Sequence, residues 1–125
     1  MSRIAFKIPS VYSDLGEGDG VLHLENDQIT IEYQIKDAFI GVLKSNIQKV
    51  IVPLLDIHDI VFQPKLINSK LILCTKEMAT LANIPGSEKG ELKLNIARAE
   101  KENAQKFVDD VMFRVSELRL KQFDS

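Results

Sequence analysis

A chain of 125 residues has room for one domain and not for two ordinary ones. Folding at this size hides roughly two-thirds of the unfolded surface, so a core forms without disulfide or metal staples. With 45% hydrophobic and 27% charged residues the chain is globular and not disordered, and a net charge of −2 argues against any global attraction to nucleic acid or anionic lipid.

In chain order, residues 4–8 read as a short strand or arm that Pro9 ends. The Gly, Asp and Ser of residues 13–20 predict a loop. Two arms, 21–25 and 28–36, flank Asn26 and Asp27, residue types that tolerate the left-handed backbone of a tight hairpin turn. In the second arm Ile29, Ile31, Tyr33 and Ile35 alternate with Gln28, Thr30, Glu32 and Gln34, the period of a strand with one buried face. Residues 47–55 form a third strand, where Pro53 marks an edge, a bulge or the strand end. Residues 57–64 and 70–75 make another hairpin, joined near 67–69. Between 77 and 84 the spacing of Met78, Leu81 and Ile84 fits a helical turn as well as an irregular strand. Pro85 and Gly86 make a turn, and residues 91–97 the last strand, with Leu92, Leu94 and Ile96 facing inward.

The terminal helix spans about residues 99–120. Ala104, Phe107, Val108, Val111, Met112, Val115 and Leu118 fall on one stripe at spacings of three and four, with Glu102, Lys106, Asp109, Asp110, Arg114 and Glu117 opposite. Only the strands can cover that stripe. The expected fold is therefore mainly β with one C-terminal α-helix. It forms a single domain over residues 1–125: an arm and loop over 1–17, strands over 18–97 and the helix over 98–120.

Six or seven strands followed by one amphipathic helix is also the element order of the pleckstrin-homology-like barrel. The residues that carry the likeness are Gly20–Leu24 with its hairpin, Val52–Ile57, Ile84–Gly86, Glu91–Ile96 and Ala104–Phe107, within residues 18–118. On this pattern the chain resembles the PH/GRAM-like superfamily, in particular the small bacterial pleckstrin-homology-like domains. The resemblance implies about seven antiparallel strands in two nearly orthogonal sheets, a barrel capped by the helix. It implies a module that binds inositol lipids, peptides or proteins and not an activity. Lipid-binding members gather Lys and Arg at the first hairpin. Here no Lys or Arg stands between Lys7 and Lys36, while Asp14, Glu17, Asp19, Glu25, Asp27 and Glu32 do. Inositol phosphate binding at that hairpin is not expected.

Other candidates weigh lightly. The glycines of residues 16–20 lead into a strand and carry acids, unlike a phosphate-binding loop. Asp14, Glu17 and Asp19 lack the spacing of a calcium loop. Asp56 and His58 could share a strand face, with His23 as a third metal ligand, but nothing in the sequence brings His23 near. Parity puts His58 in phase with Ile60 and Phe62 unless a bulge near Asp59 resets it. Cys74, the one cysteine, sits in an apolar strand and reads as a buried thiol without a basic neighbour. No nucleophile elbow, metalloprotease or phosphate-loop motif is present, so no catalytic residue, cofactor or metal is assigned. Lys36, Lys44, Lys49, Lys65, Lys70 and Lys76 are spread over several strands with few aromatics between them, which argues against a nucleic-acid groove. No leader or long apolar run stands in the sequence, and with a lone cysteine this predicts a cytoplasmic protein.

The segment singled out for interaction is 37–44, with Phe39, Ile40, Val42 and Leu43 between charged ends. It reads as core sheet or as a protruding apolar contact. The function expected is a non-enzymatic binding or assembly module whose ligand is protein, foremost a second copy. The alternative is peripheral membrane contact through 38–43, and an enzyme with an unrecognised site comes third.

Overall fold

In the computed structural model, which describes residues 2–11, 16–37 and 47–124, Asn26 and Asp27 both take left-handed backbone, with φ of 51° and 61°. This pair of positive angles matches the right-handed twist of the flanking strands, β2 (Gly16–Glu25) and β3 (Gln28–Asp37). Their ladder runs unbroken from Glu25↔Gln28 to Gly16↔Asp37.

The loop expected over 13–20 is thus corrected at its second half, because Gly16–Gly20 belongs to β2. Gly18 and Gly20 face inward, paired with Ile35 and Tyr33 on one side and with Ile8 and Phe6 of β1 (Ser2–Val11) on the other. The neighbouring strands fill the space the glycines leave. β1 likewise outruns the arm predicted to end at Pro9. Its ladder with β2 shifts register between Ile8 and Val11, so Pro9 sits where pairing is irregular.

β4 (Gln48–Pro53) ends where Pro53 pairs with Gln28, and a 3-10 turn at Leu54–Asp56 leads into β5 (Ile57–Gln63). β6 (Ser69–Thr75) follows. Residues 77–84 resolve as a helical turn, a 3-10 turn over Met78–Leu81, and β7 (Glu91–Ile96) comes after the Pro85–Gly86 turn. The helix α1 (Lys101–Asp124) extends past its predicted end at 120.

Among the described residues the strands form one seven-stranded antiparallel sheet in the order β4-β3-β2-β1-β7-β6-β5. Its two edge strands are consecutive in sequence. Four residue steps from Pro53 to Ile57 span at most about 14 Å, whereas the edges of a flat seven-stranded ladder would stand about 29 Å apart. The sheet therefore curls until its edges approach each other at Leu54–Asp56.

Inside the curl lie Ile4, Phe6 and Ile8 of β1, Ile29, Ile31, Tyr33 and Ile35 of β3, and Leu92, Leu94 and Ile96 of β7, all buried. α1 packs across β1, β5 and the Leu54–Asp56 turn, burying Ala104, Phe107, Val108, Val111 and Val115 as the stripe requires. Among the described residues no helix is long and apolar enough to cross a membrane.

Arg114 Nε donates to Asp27 Oδ1 at 2.6 Å, tying α1 to the first hairpin. That hydrogen bond, with the charges of Arg114 and Lys121, holds the Asp27 carboxyl below its ordinary 3.8. A depressed carboxylate adds stability that is present above the unfolded value and is lost as pH falls through the folded one. Arg114→Ala is therefore expected to lower the melting temperature slightly at pH 7. The gap from wild type should narrow as pH drops below 3.8. A gap independent of pH in thermal melts would show that Arg114 acts through packing alone.

Candidate functional site

Along the outer face of the sheet, register places Ala5 of β1 beside Val21 of β2, and Val21 beside Glu32 of β3. The next row is Lys7, Asp19 and Gln34, with Asn95 of β7 on the far side of Lys7. Among the described residues Lys7↔Asn95 is the one register pair between β1 and β7. Beyond it β7 ends at Ile96 and the chain turns into the 3-10 turn at Arg98–Glu100. A groove of about 650 Å³ opens where these two strands part, lined also by Arg3, Ala97, Glu100, Asn68 from the β5–β6 turn and Ile47 before β4.

Small apolar side chains make its floor and charged ones its walls. The acids on the β2–β3 side have neighbours within the hairpin. Lys36 Nζ lies 3.4 Å from Asp19 Oδ2, Gln34 Nε2 donates to Asp19 Oδ1 at 3.3 Å, and His23 Nε2 stands 3.6 Å from Glu32 Oε1. Arg3 and Lys7 are exposed along the opposite wall, with no ion-pair partner among the described residues. Lys70 Nζ donates to Asn95 Oδ1, and Glu100 accepts from Asn103 Nδ2 at 2.9 Å. Such a surface can seat an extended, partly apolar ligand and meet a carboxylate with Arg3 and Lys7.

Within the first hairpin Asp19 lies beside Lys36 and Glu32 beside His23, while Asp27 pairs with Arg114 of α1. Phe39, Ile40, Val42 and Leu43 lie outside the described residues, as do Asp14 and Lys44.

Asp56 and His58 do not converge. The Asp56 carboxylate accepts from the Glu77 backbone N–H at 3.1 Å and from Thr80 Oγ1 at 2.5 Å, holding the Met78–Leu81 turn. A register shift between Ile57 and Asp59 turns Ile57 and Ile60 inward and leaves His58 exposed. Among the described residues no three His, Cys, Asp or Glu side chains gather as a metal would need. Cys74, expected to be buried, is half-buried on the outer face, its Sγ 3.8 Å from Glu91 Oε2. Burial, with the carboxylates of Glu91 and Asp59, pushes its thiol up, the reverse of an activated nucleophile.

Sequence reasoning passed over three features. The groove assembles from β1, β2, β3, β7 and two turns, and no local pattern announces it. Leu66 and Ile67, 84% and 78% exposed, crown the β5–β6 turn. Two adjacent aliphatics between Pro64 and Asn68 were a readable signal, since turns are ordinarily polar. Phe113, Leu120 and Phe123 lie exposed on α1, where the spacing of seven and three was equally readable. No family model, curated protein or solved structure matches the chain.

Proposed function

We propose that the chain is a non-enzymatic, PH-like binding module that holds an extended protein segment in the groove beside β1. The strand order, the three-residue link between the edge strands and the single packed helix support a barrel of two nearly orthogonal sheets capped by α1. The observation that carries the binding reading is the groove itself. Its floor is apolar, its amides can meet a peptide backbone, and its basic wall is free to meet an acidic side chain. Among the described residues its lining holds no Ser, Thr, Cys or His.

Peptides selected from a random library on the intact protein test this. Enriched sequences should carry Asp or Glu and should bind Ala5→Arg at least ~10-fold more weakly, a loss of about 1.4 kcal/mol. Ala5 is exposed, so the variant should melt like wild type. Peptides indifferent to Ala5→Arg would place the protein contact elsewhere.

One observation favours the membrane reading. Leu66 and Ile67 project between Lys65 and Lys70, and no acid stands from residue 60 to residue 76. The same protein is to be sedimented with phosphatidylserine vesicles. Binding lost in Ile67→Asp, with peptide selection unaffected by Ala5→Arg, would favour it over the groove.

A further inference from the structure

Phe113, Leu120 and Phe123 are 68%, 65% and 87% exposed, on a helix whose other side is buried in the core. At about 100° per residue, Phe113 and Leu120 lie two turns apart on the side away from Val111 and Val115, with Phe123 one turn beyond. Between them the helix presents Ser116, a small side chain. The stripe runs outside the groove and owes nothing to it.

We infer that this face pairs two copies of the chain, α1 against α1, antiparallel about a two-fold axis passing between Ser116 and Glu117. The spacing is self-complementary under that operation. Phe113 of one copy meets the partner's Leu120, Leu120 meets the partner's Phe113, and the serines let the helices approach where they cross. Charge agrees with the same axis. Lys121 comes within reach of the partner's Asp110, twice over, beside the Lys106 that holds that carboxylate at 2.8 Å within its own chain. Glu117, which would face its own copy, is held at 3.3 Å by Arg114 of its own helix, so the like-charge contact is countered. Asp109, Asp110 and Glu117 frame the stripe together with Lys106, Arg114 and Lys121, so its rim carries no net positive charge to draw it to an anionic bilayer. Three exposed apolar side chains are far fewer than the roughly 20–30 residues a side of a standard interface, so the dimer is weak.

Sedimentation equilibrium of the full chain from micromolar to millimolar concentration tests the pairing. Wild type should pass from monomer to dimer. Phe113→Glu and Leu120→Glu should each weaken association at least ~10-fold without shifting the melt, since both side chains are exposed. Ser116→Cys in a Cys74→Ser background should close a disulfide dimer under mild oxidation, while Gln105→Cys, away from the axis, should not. A chain monomeric at 1 mM overturns the proposal. So does a dimer that persists in both Glu variants, a higher oligomer, or equal cross-linking at 116 and 105. A monomer whose vesicle binding disappears in Phe113→Glu overturns it in favour of a lipid surface.

Discussion

Replacing Phe107 with alanine should destabilise the protein by about 3–5 kcal/mol, the largest effect expected of any single side-chain truncation here. Phe107 is fully buried on the inner face of α1, where the helix meets β1, β5 and the turn between the sheet's edges. Removing its ring leaves a cavity that rigid strands on one side and a helix on the other refill only partly. Against a total stability of ~5–15 kcal/mol, the urea midpoint should fall by a third or more, with the slope of the transition unchanged. Phe113→Ala, on the opposite face of the same helix, should move the midpoint by less than about 0.5 kcal/mol. If the two variants unfold alike, α1 does not close the core.

Gly20→Ala is expected to cost at least about 3 kcal/mol, the top of the range for forced overpacking, and to disable the groove as well. A Cβ at this position would stand 2.0 Å from the Glu32 carbonyl oxygen, 2.8 Å from Phe6 Cζ and 2.9 Å from Tyr33 Cα. Two of those atoms are backbone of the paired strand, so relief requires β3 to move and ladder hydrogen bonds to break. Val21 and Glu32 border the groove on these same strands, and their displacement should abolish peptide capture in whatever folded fraction remains. Gly18 makes the comparison. An added Cβ there meets only Ile8 and Ile35 side-chain atoms at 3.0–3.3 Å, which can yield, so Gly18→Ala should cost less. Chemical denaturation of the two variants reads the difference. A Gly20→Ala protein as stable as Gly18→Ala would show that β2 and β3 do not approach so closely.

The candidate site was the least legible part of the sequence. Arg3, Glu32, Asn68 and Asn95 meet at one groove although they stand far apart along the chain. Nothing in their local surroundings distinguishes them from solvated surface. The ion pair of Asp27 with Arg114, and that of Lys36 with Asp19, were hidden for the same reason. A list of charges along a chain carries no distances, so the first hairpin looked more acidic than the fold leaves it. His58 shows a subtler limit. Period-two counting keeps it in phase with Ile60 and Phe62 only along an unbroken ladder, and the register shift between Ile57 and Asp59, an exception the sequence left open, turns it outward.

The sequence by itself determined which side of β3 and of α1 is buried. Ile29 to Ile35 alternate because one face of β3 lies in the core, and Ala104 to Val115 recur at helical spacing because one face of α1 is covered. The Asn26–Asp27 turn was equally local, since it needs only two residues that accept positive φ. Tertiary structure alone decided that Gly16–Gly20 is strand and not loop. Glycine and aspartate have little strand preference of their own, and they are extended here because β1 and β3 offer hydrogen bonds and inward side chains on both sides. The same long-range pairing decided that β1 would run beside both β2 and β7 and part from β7 beyond Lys7, which opens the groove. Local pattern says which face turns inward because that depends on a residue's own polarity. Which strands become neighbours depends on contacts between residues distant along the chain, and a one-dimensional pattern does not contain them.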